Sequence, residues 1–161
     1  MAVGGEAVAR EDGGRVVFVA GALPDETVTV ELLEEKKSFA RGVVVDVVDP
    51  SPHRVEPPCP NVELGCGGCD WQHIDVDAQR ELRLGIVAEV LARSGKVVDP
   101  DVRPGPPLAA EGLRTTVRGI ADPDGRFAFR RRRSHDLIAI DTCLVAHPEV
   151  NDVIARSTFA P

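Results

Sequence analysis

Four cysteines are the residues of this 161-residue sequence whose type and spacing could do chemistry. Three stand in the segment Pro58-Cys-Pro-Asn-Val-Glu-Leu-Gly-Cys-Gly-Gly-Cys-Asp-Trp-Gln-His73, as Cys59-x6-Cys66-x2-Cys69. Gly65, Gly67 and Gly68 surround the last two. Residues without a Cβ let a backbone turn sharply and bring its N–H groups close to a bulky anionic centre. A cubane cluster needs four thiolates, and proteins often draw three from one loop and one from far away. Cys143, 74 positions beyond Cys69, is the candidate for the fourth. A four-cysteine zinc site would use the same thiolates. Such sites usually come as two short knuckles, whereas here only Cys66 and Cys69 make one. The spacing therefore points to a [4Fe-4S] cluster, with zinc and unligated thiols as the other two readings.

Bulk properties narrow the setting. Hydrophobic residues make up 43% and charged residues 28%, as in a soluble globular protein. No apolar run approaches the roughly 18 residues of a membrane span. The start, Met-Ala-Val-Gly-Gly-Glu, has no basic segment leading into an apolar one, so no secretory signal is expected. Cysteines in such a chain read as metal ligands or reduced thiols, and the expected compartment is the cytoplasm. Net charge is −7, which by itself gives no support to nucleic-acid binding. The charge is uneven, however. Residues 103–133 hold eight arginines against three acidic residues, while the stretches on either side are acidic. A local basic stripe can meet a phosphate backbone even in an acidic protein.

The elements that must position these residues come in two kinds. Arg15–Ala20, Thr27–Leu32 and Ala40–Val48 read as short strands, the second with strict alternation, and Glu34-Glu-Lys-Lys37 as a charged tip. Several short strands within 60 residues indicate a small antiparallel barrel, OB-like or SH3-like. Asp49-Pro-Ser-Pro52 and Pro57-Pro58 read as a stiff linker closing it. Beyond the cysteine loop, Asp75 or Asp77 can cap a helix running to about Arg93, stopped by Ser94-Gly95. Its Leu82, Leu84, Ile86, Val87, Val90 and Leu91 form a wide apolar stripe, so packing is expected to hold it despite Gly85. Leu113–Ile120 and Arg126–Arg130 flank Asp122-Pro-Asp-Gly125, a hairpin signal, and Leu137–Ile140 reads as a third strand. Pro148 can open a last helix with Val150, Val153 and Ile154 at helical spacing. Trp71 reads as a packing residue and His73 as a structural hydrogen-bonding group.

The run of Cys59-Pro, Cys66-Gly-Gly-Cys69, Gln72-His73, Gln79 and Arg83 resembles the RNA uracil-5-methyltransferase family. These enzymes use S-adenosylmethionine to methylate carbon 5 of uridines in ribosomal or transfer RNA. Gly4-Gly-Glu-Ala-Val-Ala9, Phe18-Val-Ala-Gly-Ala-Leu-Pro24 and Pro50-Ser-Pro-His-Arg54 resemble the TRAM domain, the OB-like RNA-binding module at the start of many members. Ser134-His135-Asp136 leading to Asp141-Thr-Cys143 resembles the family's central domain, which supplies the fourth ligand. The resemblance implies a mainly β chain with an α/β part. It runs as a TRAM barrel over residues 1–58, a cysteine loop and helix over 59–98, and an incomplete α/β central domain over 99–161. Asp25 departs from the family, standing where glycine is usual, and only Met1 to Val3 precede the Gly4-Gly5 pair that the family's first strand usually leads into.

The family's chemistry belongs to a C-terminal Rossmann-like domain with a Gly-rich cofactor loop, a nucleophilic cysteine and an acidic base. None of these is expected here. A nucleophile must be a cysteine free of other duties, and all four are assigned. The expected function is thus the RNA-binding and iron–sulfur portion of such an enzyme, monomeric, without membrane contact and inactive by itself. S-adenosylmethionine would enter only through the missing domain. Expected contacts to structured RNA (rRNA or tRNA) are Arg114, Arg118, Arg126, Arg130, Arg131, Arg132 and Arg133 about the hairpin, with Lys36, Lys37 and Arg41 in the barrel. The alternative is a stand-alone RNA-binding module holding a cluster or zinc. A radical methylthiotransferase would need a Cys-x3-Cys-x2-Cys triad, which the x6 spacing and the fourth cysteine oppose.

Overall fold

A computed structural model describes residues 1–159. The chain is mainly β with two helices. In order it forms β1 (Ala7–Arg10), β2 (Val16–Ala20), β3 (Thr27–Glu35), β4 (Phe39–Asp49), a short 3-10 turn (Pro60–Val62), α1 (Val76–Arg93), β5 (Ile120–Ala121), β6 (Phe127–Arg130), β7 (Leu137–Ala139) and α2 (Pro148–Arg156). Two compact units result, Met1–Glu56 with His73–Gly105, and Pro57–Gln72 with Pro106–Pro161. They cut the chain differently from the three consecutive segments expected. The cysteine loop goes with the central domain, and the helix goes with the barrel strands.

In the first unit the strand order is β1-β2-β4-β3. β1 pairs antiparallel with β2, and β3 with β4, but β2 and β4 run parallel. The sheet is mixed, not antiparallel throughout, because the β3–β4 hairpin enters it through its second strand. Val17 and Val19 point one way from β2, as a two-residue period requires, and meet Ala22, Ala40, Val28, Val30 and Val44 in a small apolar core. The expected alternation of β3 holds through Val30 and ends at Leu32, which is exposed where the register shifts before Glu34. The first strand, sought before Gly4-Gly5, follows that pair instead, and β1 and β3 form the two edges.

The segment after β4 is fixed rather than a plain linker. Ser51 is buried, and its N–H donates to Glu26 Oε1 at 3.1 Å. The N–H of Val55 donates to the carbonyl of His73 at 3.0 Å, and that of Asp75 to His53 at 2.9 Å. Asp75 then caps α1, its carboxylate accepting the N–H groups of Asp77 and Ala78. The expected burial of the α1 stripe is only partial, with Leu82, Leu84, Ile86 and Val90 half-buried. No residue of α1 is buried, and Val76, Val87 and Leu91 are exposed. Charged residues interleave the apolar ones, so local features also support this helix. These are the cap and the pairs Arg80–Asp77 and Arg93–Glu89.

In the second unit β5, β6 and β7 form an antiparallel sheet in chain order. The Asp122–Gly125 turn forms as expected, with Gly125 at φ 76° donating to Asp122 at 2.9 Å. The strand expected over 113–120 shrinks to Ile120–Ala121. Its front half pairs elsewhere: Arg114 donates to Val145 at 2.8 Å and accepts from His147 at 2.9 Å. The core gathers Phe127, Ile138, Ile140, Cys143, Ala146 and Ile154, with Phe127 edge-on to Phe129. His147 and Pro148 open α2. Of its expected apolar face Val150 and Ile154 pack inward, but Val153 is exposed.

Candidate functional site

The cysteine loop is built from backbone pairing. The carbonyl of Cys59 accepts the N–H of Val62 at 3.1 Å, and the carbonyl of Asn61 accepts that of Cys66 at 2.9 Å. The loop then pairs with the chain after β6: Gly67 donates to Arg130 and Arg132 to Gly65, both at 3.0 Å, with Cys66 opposite Arg131. The approach at Gly67 is tight for a side chain. A Cβ there would lie 3.1 Å from the carbonyl oxygen of Arg130 and from the backbone of Arg132. The Arg132 guanidinium adds a bond to the Cys69 carbonyl at 2.8 Å and pairs with Asp70 at 2.9 Å.

Cys143 comes from beyond β7 and is fixed by two side-chain amides that sequence reading missed. Asn61 Nδ2 donates to the carbonyl of Thr142 at 2.7 Å. Asn151 Oδ1 accepts the Cys143 N–H at 2.8 Å, and its Nδ2 donates to the Cys143 carbonyl at 3.1 Å. No periodicity marks either asparagine. The only signal is the proximity of Asn61 to Cys59 in the chain.

All four cysteines line one cavity of about 270 Å³ within the second unit, together with Asn61, Gln72, Arg114 and Arg118. Cys59 and Cys143 are buried, Cys66 and Cys69 half-buried, and none forms a disulfide. Burial pushes the Cys66 thiol above its ordinary value, the Gly68 N–H pulls it back, and the charges of Cys69, Cys59 and Cys143 push it up again. Both burial and the neighbouring cysteines thus favour the neutral thiol at Cys66 in the absence of a bound cation. Among the described residues no three His, Cys, Asp or Glu side chains are arranged to hold one metal ion. A single zinc needs its sulfurs about 2.3 Å from a shared centre. A cubane takes one thiolate at each of four separate irons and tolerates wider spacing. Four cysteines lining one cavity are the type of donor such a cluster takes.

The expected RNA contacts scatter over several roles. Arg114 and Arg118 line the thiol cavity. Arg126 pairs with Asp141 at 3.9 Å, Arg130 meets His135, and Arg132 braces the cysteine loop. Arg131 and Arg133 are exposed. In the first unit Arg41 pairs with the buried Glu6 and stacks over Phe18, its guanidinium 4.9 Å from the ring centroid, so it serves the sheet. Lys36 pairs with Glu34 at 3.4 Å, and Lys37 is exposed at the hairpin tip. Trp71 is buried, as a packing residue should be.

Residues 4–45 match the TRAM domain. Over 98% of its length the chain is 40% identical to an uncharacterized RNA methyltransferase of Corynebacterium efficiens, of which it covers 38%. Over 88% of its length it is 36% identical to the 23S rRNA (uracil(1939)-C(5))-methyltransferase of Shewanella sp. (strain MR-4), of which it covers 32%. The chain is a relative of the RNA uracil-5-methyltransferases. It matches the N-terminal portion of these relatives, 32–38% of their length. The fold agrees. The crystal structure of the Pyrococcus abyssi tRNA (uracil-54, C5)-methyltransferase superposes with a TM-score of 0.59 at 24% identity, over 96% of this chain and 36% of that one. Among the described residues no helix is long and apolar enough to cross a membrane.

Proposed function

We propose that this chain is the RNA-binding and iron–sulfur portion of an S-adenosylmethionine-dependent RNA uridine-5-methyltransferase acting on rRNA or tRNA in the cytoplasm. The observation that carries this is the gathering of all four cysteines on one cavity, in a chain whose relatives are RNA methyltransferases and whose first 45 residues include a TRAM domain. Cys59, Cys66, Cys69 and Cys143 would hold a [4Fe-4S] cluster, whose chemistry here is to tie two distant chain segments together and stiffen an RNA-docking surface. Methyl transfer from S-adenosylmethionine needs no redox step. The four cysteines are committed to this cavity, so the nucleophile that attacks the uracil ring has to be another residue.

The chain's own residues prepare the surface. Arg131 and Arg133 stand exposed beside the cysteine loop, where planar guanidinium groups suit phosphate. The experiment is anaerobic purification followed by metal and sulfide analysis. The expected product is brown, with about four irons per chain. A colourless protein carrying stoichiometric zinc overturns the cluster. A brown protein with no affinity for structured RNA leaves the cluster standing and overturns the RNA role.

A further inference from the structure

We propose that Asn61 and Asn151 are the positioning residues of the fourth thiolate, holding the backbone at Cys143 from two sides so that its sulfur reaches the cluster. The inference rests on the cluster reading above. Three ligands share a loop that pairs with the chain after β6, which fixes them relative to one another. Cys143 lies beyond β7, which ends at Ala139, and its carbonyl closes a turn by accepting the Ala146 N–H at 3.0 Å. Asn151 adds side-chain bonds to both backbone groups of that residue. From α2 its amide accepts the Cys143 N–H at 2.8 Å and donates to the Cys143 carbonyl at 3.1 Å, as a neighbouring strand would. A third contact from Nδ2 reaches the carbonyl of Ala146 at 3.4 Å, closing the turn that follows.

Asn61 works from the other side. It is 7% exposed, and its Nδ2 donates at 2.7 Å to the carbonyl of Thr142, the residue before the ligand. Its own carbonyl accepts the Cys66 N–H at 2.9 Å. One residue therefore joins the start of the cysteine loop, its middle, and the chain entering Cys143. The chemistry restricts the choice of residue. At Asn151 the carboxamide presents an acceptor and a donor on separate atoms of one planar group, matching the N–H and the carbonyl of Cys143; aspartate lacks the donor, and alanine lacks both. Such supporting bonds orient ligands and tune the group they hold.

A merely structural asparagine would lower overall stability and leave the irons equivalent. A positioning asparagine singles out the iron bound to Cys143. The probe is ferricyanide, added to the brown parent chain and to Asn151→Ala, Asn61→Ala and Asn151→Asp under argon. Oxidation removes one electron from [4Fe-4S]2+ to ferricyanide, and loss of one Fe2+ leaves [3Fe-4S]+. Iron content and electron paramagnetic resonance follow the reaction. The expected result is a three-iron signal that appears several-fold faster in both alanine variants than in the parent, with Asn151→Asp intermediate. Val153→Ala, on an exposed face of α2, should behave as the parent. Should Asn151→Ala fail to fold, Asn61→Ala and Asn151→Asp decide. Variants that keep the parent's rate, or that lose all four irons together, overturn the inference alone. A parent without iron overturns the cluster reading and this inference with it.

Discussion

Both carboxylate oxygens of Glu26 lie 2.6 Å from nitrogens of Arg54, 28 positions away, and the Glu26 side chain is fully enclosed. The same carboxylate accepts the N–H groups of Leu23 and Ser51, while Arg54 also donates to the Gly21 carbonyl at 2.7 Å. This pair fastens the chain leaving β4 to the turn between β2 and β3. Glu26→Ala strands the guanidinium and two amides, and should cost about 3 kcal/mol in chemical denaturation.

The same site sets a pH dependence. Burial pushes the Glu26 carboxyl up, but bonds from Arg54, Leu23 and Ser51 outweigh it and hold it below its ordinary 4.5. A carboxyl whose folded value is depressed contributes stability that is full above the unfolded value and lost as pH falls through the folded one. The stability gap between parent and Glu26→Gln should therefore be constant from pH 7 to about 4.5 and shrink below it. A gap that shrinks on raising pH instead would contradict the sign.

Gly85 sits exposed in the middle of α1, and a Cβ added there meets nothing within 4 Å. Gly85→Ala should raise stability by about 1 kcal/mol, since alanine restricts the unfolded chain and favours the helix. A thermal melt followed by helical ellipticity checks this.

Gly67→Ala should act in the opposite direction. Its Cβ would press on the backbone of Arg130 and Arg132, and the displaced loop carries Cys66 and Cys69. The expected cost is about 1–3 kcal/mol, with reduced iron content in anaerobically purified protein. Full iron content and parent-like stability would show that the loop can move without consequence.

Arginines near the loop should separate by role. Replacing Arg131 and Arg133 with alanine should weaken binding of a structured RNA and flatten its log–log salt dependence by roughly one to two units. Iron content should stay at the parent's level. Arg132→Ala should lower iron retention, because it removes the bonds to Cys69 and Asp70. Filter binding across a salt series and iron analysis read the two effects independently.

Local chemistry was legible in the sequence, and non-local compensation was not. The strand cores at Val17, Val19, Val28 and Val30, the Asp75 cap, the Asp122–Gly125 turn and the Pro148 helix start all rest on residues within one or two turns of chain. Asp25 is a further case. It stands at φ 63°, the left-handed region glycine tolerates best, which gives a physical reason for the family's usual glycine at that position. The apolar stripe of α1 was legible only in part, because periodicity reports which side could be buried and not how far a surface covers it: Leu82, Leu84, Ile86 and Val90 are half-buried, Val87 and Leu91 exposed. Leu113–Gly119 misled, since pairing with residues 144–147 competed with the hairpin. The supports of Cys143 were invisible for the same reason. Asn61 reaches 81 positions along the chain to Thr142, and no spacing rule covers that distance.

The interleaving of the two compact units has a consequence for the chain as it is made. Cys59, Cys66 and Cys69 leave the ribosome with Cys143 still 74 residues behind. At roughly 5–20 residues per second, that interval lasts on the order of 4–15 s. Throughout it, three thiols wait without their fourth partner and without Asn151, while the segment that completes the other unit is already emerging. With the proposed cluster in that site, the order of translation sets a window in which the three thiols are open to oxidants and to another metal. It closes when α2 arrives.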